Sequence, residues 1–309
     1  MPELDGLQLK LRRLADERDA IVLAHNYQRA EVQAAADHVG DSLELARIAA
    51  RDDHSVILFC GVHFMAETAH ILSPQKTVLM PDRRAGCPMA DMITAADLKA
   101  LKREHPDAAV VAYVNSSAEV KAETDVCCTS ANAVEIVERF PKAQKIIFVP
   151  DRNLGDYVAR ETGRADTMII WPGYCHVHDD FRAAEIARIV AEHPESVLMA
   201  HPECRREVLE IADVVTSTSG MLRYPATSDA TTFVVATETG LLYRLAALYP
   251  ERSFVPASRR AVCPNMKLTT LEKCVATLDD EWDNVLEHQV TVPPHIRSAA
   301  LRAVERMIA

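Results

Sequence analysis

Three cysteines recur at one interval: Cys87, Cys175 and Cys263 stand 88 residues apart (175 − 87 = 263 − 175 = 88). Each lies in a turn-rich setting, Gly86-Cys87-Pro88, Gly173-Tyr174-Cys175 and Cys263-Pro264. Thiolates are soft ligands that suit iron–sulfur clusters and zinc. Three of them without a fourth at the repeat fit a [4Fe–4S] cluster with one open iron, and a zinc ion with a water is the chemical rival. The CxxC pair of the usual zinc ribbon is absent from the sequence. An open metal site of either kind is a Lewis acid that can bind a hydroxyl or carbonyl oxygen and promote loss of water. That chemistry is a dehydration or a condensation. The competing reading is three loop thiols kept only by duplication.

The same interval orders the polar residues. Ala24, Ala112 and Ala200 are 88 apart (112 − 24 = 200 − 112 = 88), followed by His25, Tyr113 and His201, and then by Tyr27, Asn115 and Glu203. Glu31, Glu119 and Glu207 keep the step, as do Asp37, Asp125 and Asp213, and then Ser42, Ser130 and Thr218. Identical residues at equivalent places read as scaffold, so the Glu and Asp sets are assigned to structure. Differing polar residues at equivalent places read as three sides of one asymmetric site, with groups able to donate, accept and move protons. The hydroxyls Ser42, Ser130 and Thr218 stand where helix N-caps belong. Three such helix starts could also receive anions, since free N–H groups and the helix dipole favour negative charge there. His176, His178, Asp179 and Asp180 beside Cys175 could be metal ligands, but as lone features they read rather as a polar loop and helix start.

Stepping outward, the period identifies a threefold repeat. Short continuous apolar runs, such as Ala20–Ala24, Ala108–Ala112 and Ser196–Ala200, are typical of buried parallel strands. Second strands are expected at 37–39, 125–127 and 213–215, third strands at 55–59, 145–148 and 232–235, and fourth strands just before each repeated cysteine. Helices alternate with them, a leading helix is expected over 1–18, and closing helices over 268–278 and 295–308. The expectation is an α/β protein of three αβα three-layer units, 1–106, 107–194 and 195–309, related by a pseudo-threefold axis. Ligands bind outside the carboxyl ends of such strands, where the three sets of polar residues and the cysteine loops fall.

Composition narrows the partners. A formal charge of −11 over 309 residues disfavours nucleic acid and anionic membranes. No apolar run reaches the about 18 residues of a membrane span, and an acidic N-terminus without an apolar signal core suggests the cytoplasm. Only 9 residues are glycine, and neither a GxGxxG nor a Walker A sequence occurs. Anionic groups must therefore be held by other means. Cys60, Cys127, Cys128 and Cys274 do not recur and read as buried apolar residues, and Cys204 is left unassigned.

The motifs Leu23-Ala-His-Asn-Tyr-Gln28, Gly61-Val-His-Phe-Met-Ala-Glu-Thr-Ala69, Tyr113-Val-Asn-Ser116 and Pro150-Asp-Arg-Asn-Leu-Gly155 resemble quinolinate synthase, as do Trp171-Pro-Gly-Tyr-Cys-His-Val-His178, Ser217-Thr-Ser-Gly220 and Cys263-Pro-Asn-Met266. The resemblance covers roughly residues 20–275. It implies three αβα domains around a [4Fe–4S] cluster held by Cys87, Cys175 and Cys263 with one iron open. It implies condensation of iminosuccinate with dihydroxyacetone phosphate to quinolinate, with loss of water and phosphate, on the de novo route to NAD. It further implies substrate contacts by His25, Ser42, Tyr113, Asn115, Ser130, His201, Glu203 and Thr218, with Glu203, Tyr27 and Tyr113 moving protons. A transient contact with the aspartate oxidase or dehydrogenase that makes iminosuccinate would follow. Some family members carry a CxxC near the last ligand; Ala261-Val-Cys263 lacks it, so no thiol switch is expected there. Diphthamide-forming radical S-adenosylmethionine enzymes share the three-cysteine layout and are the alternative. An iron–sulfur redox sensor would need a basic DNA-binding segment, and none is present.

Overall fold

The computed structural model describes residues 5–279 and 282–308. Twelve strands form three parallel sheets of four. Unit one contributes β1 (Ala20–His25), β2 (His38–Gly40), β3 (Val56–Cys60) and β4 (Thr77–Leu79). Unit two contributes β5 (Ala109–Tyr113), β6 (Val126–Cys128), β7 (Ile146–Val149) and β8 (Met168–Ile170). Unit three contributes β9 (Val197–Ala200), β10 (Val214–Val215), β11 (Thr232–Ala236) and β12 (Ser253–Pro256). Each sheet has the order second, first, third, fourth strand. The expected strands are therefore present, and the fold is three αβα layers repeated. The leading helix runs Gly6–Glu17 behind a capping box of Asp5 and Gln8. The first four residues of the expected leading helix lie outside the described residues.

The apolar runs form strands because helices cover both faces. Every residue of β1, β3, β5 and β7 is buried. The order within each sheet puts the switch point between the first and third strands, and the crevice opens at their carboxyl ends. His25 and Tyr113 are the last residues of β1 and β5, and His201 follows β9.

The repeated aspartates hold this frame. Asp37 accepts the Val22 N–H, Asp125 the Val110 N–H and Asp213 the Leu198 N–H, each at 2.8 Å. In return Val22, Val110 and Leu198 each accept the aspartate's own N–H through their carbonyls. The three copies thus pin the start of the second strand to the first, at the end of the sheet away from the crevice. Asp125→Ala strands the Val110 N–H and is expected to cost about 1 kcal/mol, with kcat unchanged. Denaturant unfolding and a turnover assay check this, and a variant with wild-type stability contradicts it.

The two closing helices leave unit three. Leu271–Asp279 packs on the leading helix through Leu271, Cys274, Val275 and Leu278 against Leu11 and Leu14. Pro294–Ile308 buries Ala300, Ala303, Val304 and Met307 against units one and two. Polar links join the units near the crevice. Arg29 donates to the Lys267 carbonyl, Gln33 to the Gly240 carbonyl, and Asn153 to the Glu203 carbonyl. Glu67 accepts the Ala118 N–H at 3.1 Å. Asp179 binds both Arg152 and Arg205, at 2.9 and 2.7 Å. Such ties fix three independent sheets around one shared space.

Candidate active site

Cavity residues come from all three units. His25, Tyr27, Ser42, Cys87, Tyr113, Asn115, Ser130, Cys175, His201, Glu203, Thr218 and Cys263 all line a single cavity. The space is about 80 Å³, several times the ~10–15 Å³ that one water needs.

The two strand-end histidines share one tautomer. His25 Nδ1 accepts the Tyr27 N–H at 3.1 Å, and His201 Nδ1 accepts the Glu203 N–H at 3.3 Å. Their Nε2–H groups are therefore free to donate. His201 gives its proton to the Ser130 hydroxyl at 3.2 Å. Burial, which disfavours the charged ring, pushes His25 down to about 4 and His201 down to about 3. Both are neutral donors near neutral pH.

A run of hydrogen bonds crosses the floor of the cavity. Burial alone would push the Glu203 carboxyl up. The neighbouring His178 ring, then His201 and the Tyr113 hydroxyl, hold it well below the usual carboxylate range. Ionised Glu203 can only accept. Tyr113 Oη donates to its Oε1 at 2.5 Å, and His178 Nδ1 donates to its Oε2 at 2.8 Å. In the neutral His178 ring, Nε2 accepts from the Thr237 hydroxyl at 2.8 Å and Thr237 accepts from Tyr27 Oη at 2.6 Å; in the imidazolium both contacts reverse. With that ring neutral, the donors point one way from Tyr27 to Glu203. Burial and then the Glu203 charge push both tyrosines well above their usual range, so both hydroxyls keep their protons. His178 and Thr237 escaped the sequence reading, which took His178 for part of a polar loop. It is 2 % exposed and stacks on the His201 ring at 4.6 Å.

The three hydroxyls do not cap helices. The caps are Asp41 before Ser42–Arg51, Asn132 before Ala133–Glu138 and Ser217 before Thr218–Arg223. Ser42 and Thr218 are first-turn residues, and Ser130 lies two residues ahead of its cap. Asp41 and Ser217 cap through their side chains and Asn132 does not, and the three hydroxyls line the cavity. Thr218 accepts from Asn26 Nδ2 at 3.1 Å, which leaves its own proton to give away. Asn115 Oδ1 is buried and has no partner among the described residues, as a group awaiting a ligand would be.

Each cysteine opens a short helix: Cys87 precedes Ala90–Met92, Cys175 precedes His176–Asp179 and Cys263 precedes Met266–Leu268. Backbone N–H groups three residues on, of Ala90, His178 and Met266, face the sulfurs and favour the thiolates. Burial outweighs them, pushing Cys87 up to about 12 and raising the other two thiols. Three half-buried thiols around one space need a positive partner to ionise. Gly173 lets the Cys175 loop approach unit two's third strand end, because a Cβ there would meet the Pro150 carbonyl at 2.4 Å. Among the described residues, the three potential ligands whose donor atoms lie within 4.8 Å of one another are Cys175, His178 and Glu203. Their closeness is accounted for by the His178 N–H, 3.2 Å from the Cys175 sulfur and 2.8 Å from Glu203. The three repeated cysteines are not such a tight group. Cys60, Cys127, Cys128, Cys204 and Cys274 are buried away from the cavity lining.

Among the described residues, no helix is long and apolar enough to cross a membrane. The model of the family described as quinolinate synthetase A protein matches residues 9–309. A quinolinate synthase of Desulforudis audaxviator is 50% identical over 305 residues, 99% of this chain and 98% of the relative. One of Dehalococcoides mccartyi strain CBDB1 is 52% identical over 299 residues, 97% and 96% of the two chains. Quinolinate synthase 2 of Methanosarcina acetivorans is 48% identical over 299 residues, 97% and 94% of the two. With strand-end residues from three repeated sheets around one thiol-lined cavity, and matches along nearly its whole length, the chain belongs to the quinolinate synthase family.

Proposed function

We propose that this chain condenses iminosuccinate with dihydroxyacetone phosphate to quinolinate, losing water and phosphate, with a [4Fe–4S] cluster on Cys87, Cys175 and Cys263. The observation that carries the reading is the continuous hydrogen-bond run from Tyr27 to Glu203, laid between thiols and neutral donors in a single cavity. A cluster with three protein ligands supplies Lewis acidity at its open iron. The chain's own residues do the rest. His201, Ser130, Thr218 and Asn115 hold the two carboxylates of the dicarboxylate half by neutral hydrogen bonds. His25 and Ser42 face the phosphate-bearing end. Glu203, ionised and in reach of both tyrosines through its partners, takes a proton from carbon during isomerisation. Tyr113 and Tyr27 hold protons for the hydroxyls that leave as water, and Thr237 and His178 carry the replacement between them.

Iminosuccinate is an imine that water destroys, so its producer, an oxidase or dehydrogenase acting on aspartate, works beside this enzyme in the cytoplasm. The test is an anaerobic assay of the iron–sulfur-loaded protein with both substrates. Quinolinate should appear only with both present. Cleavage of S-adenosylmethionine with no quinolinate formed would sink the reading.

A further inference from the structure

The third strand of each unit is followed, two residues after its end, by one of three buried side chains: Val62, Asp151 or Glu238. The two carboxylates make the same pair of bonds. Asp151 Oδ1 accepts the Leu154 N–H at 2.8 Å, in the first turn of helix Arg152–Glu161, and its Oδ2 accepts the Cys175 N–H at 3.2 Å. Glu238 Oε2 accepts the Gly240 N–H at 2.7 Å, just ahead of helix Leu241–Leu248, and its Oε1 accepts the Cys263 N–H at 3.1 Å. One oxygen holds the helix start and the other holds the cysteine. A serine or asparagine would serve the helix start with one acceptor; only a carboxylate offers the second. Asp151 is 0 % exposed and Glu238 1 %, and burying carboxylates is costly without such bonds. Val62 can make neither bond. In its unit the equivalent tie is the His63 N–H to the Ala85 carbonyl at 2.8 Å, two residues short of Cys87.

We propose that Asp151 and Glu238 are positioning residues that clamp the ligand cysteines Cys175 and Cys263, whereas Cys87 is held without a carboxylate clamp. The inference rests on the cluster reading above. Each clamp fixes the backbone of its cysteine before any cluster is present and ties it to a helix of the same unit. Partners of this kind, one step behind a metal ligand, commonly change metal affinity by about 10–100-fold.

Asp151→Asn and Glu238→Gln keep the shape but turn one accepting oxygen into an NH2 group. Whichever way the amide turns, that group faces a backbone N–H. Each variant, loaded anaerobically, is expected to release iron to a chelator about 10–100-fold faster than the unsubstituted holoprotein, with a shifted reduction potential. Asp125→Ala, whose defect lies at the far end of its sheet, should change neither. Iron release and potential equal to the parent's in both variants overturn the proposal. Hydrogen exchange on the unsubstituted holoprotein reads the clamps without any substitution. The Cys175 and Cys263 amides should exchange about tenfold more slowly than the Cys87 amide, and equal rates overturn the proposal even where a variant fails to fold. A parent that binds no iron and sulfide removes the cluster reading and this inference with it, and is told apart by its lack of colour.

Discussion

Cys175→Ala is expected to lose brown colour and turnover together. Its sulfur is one of three around the cavity, lies 3.2 Å from His178 Nδ1 and follows the Gly173 approach to the Pro150 carbonyl. Removing it leaves two thiols from two units, too few to hold a cluster with three protein ligands. The fold should survive, because the loop is fixed by the Cys175 N–H donating to the Asp151 carboxylate and the Cys175 carbonyl accepting the Asp179 N–H, both of which alanine keeps. Iron content should fall to background while the circular dichroism spectrum stays that of the parent. Cys204→Ala is the control. Its thiol is fully buried against the Ala236 carbonyl, outside the cavity lining, so colour and activity should persist. Wild-type turnover in the Cys175 variant would remove the cluster from the account.

Glu203→Gln should do the reverse: keep the iron and lose the chemistry. The carboxylate accepts from Tyr113 at 2.5 Å and from His178 at 2.8 Å. Glutamine has one accepting oxygen, so its NH2 must face either the tyrosine hydroxyl or the His178 N–H. The tyrosine can reverse its proton; the His178 contact can recover only by a change of tautomer, which reverses the run to Thr237 and Tyr27. The loss is therefore both of a base and of the direction of proton transfer. A fall in kcat of about 10²–10⁴ is expected for removal of a general base, with KM changing far less. A variant within a few-fold of the parent kcat would show that Glu203 only fills space. The two substitutions are informative together, since they separate cluster loss from proton transfer.

Much of this was legible from spacing. Strand limits followed from unbroken apolar runs, because a parallel strand covered on both faces tolerates no polar residue until its end. The scaffold role of Asp37, Asp125 and Asp213 followed from their identity, and all three make one and the same bond. Convergence on a cavity followed from the strand-end rule. What escaped did so for physical reasons. His178 is equivalent by spacing to Ala90 and Met266, so a search for matched polar residues passes over it. Thr237 is matched by Gly61 and Val149 and is hidden in the same way. The caps were misplaced by one or two residues at each of three helices, because Asp41-Ser42, Ser130 before Asn132, and Ser217-Thr218 each offer more than one side chain able to cap. Only backbone geometry decides which one turns inward and which is left for a ligand. The closing helices showed an apolar face in sequence, yet nothing local said that Pro294–Ile308 would cover units one and two. Contacts that distant in the chain carry no periodic signal.

The central claim is that Cys87, Cys175 and Cys263 together hold one iron–sulfur cluster whose open iron faces the cavity. The most direct measurement is anaerobic purification, with iron, sulfide and zinc counted per chain, followed by an EPR spectrum of the reduced protein with and without dihydroxyacetone phosphate. The account predicts about four iron and four sulfide per chain, no stoichiometric zinc, and a signal that changes when the substrate is added. A colourless protein with one zinc per chain, or a cluster signal indifferent to substrate, would contradict it.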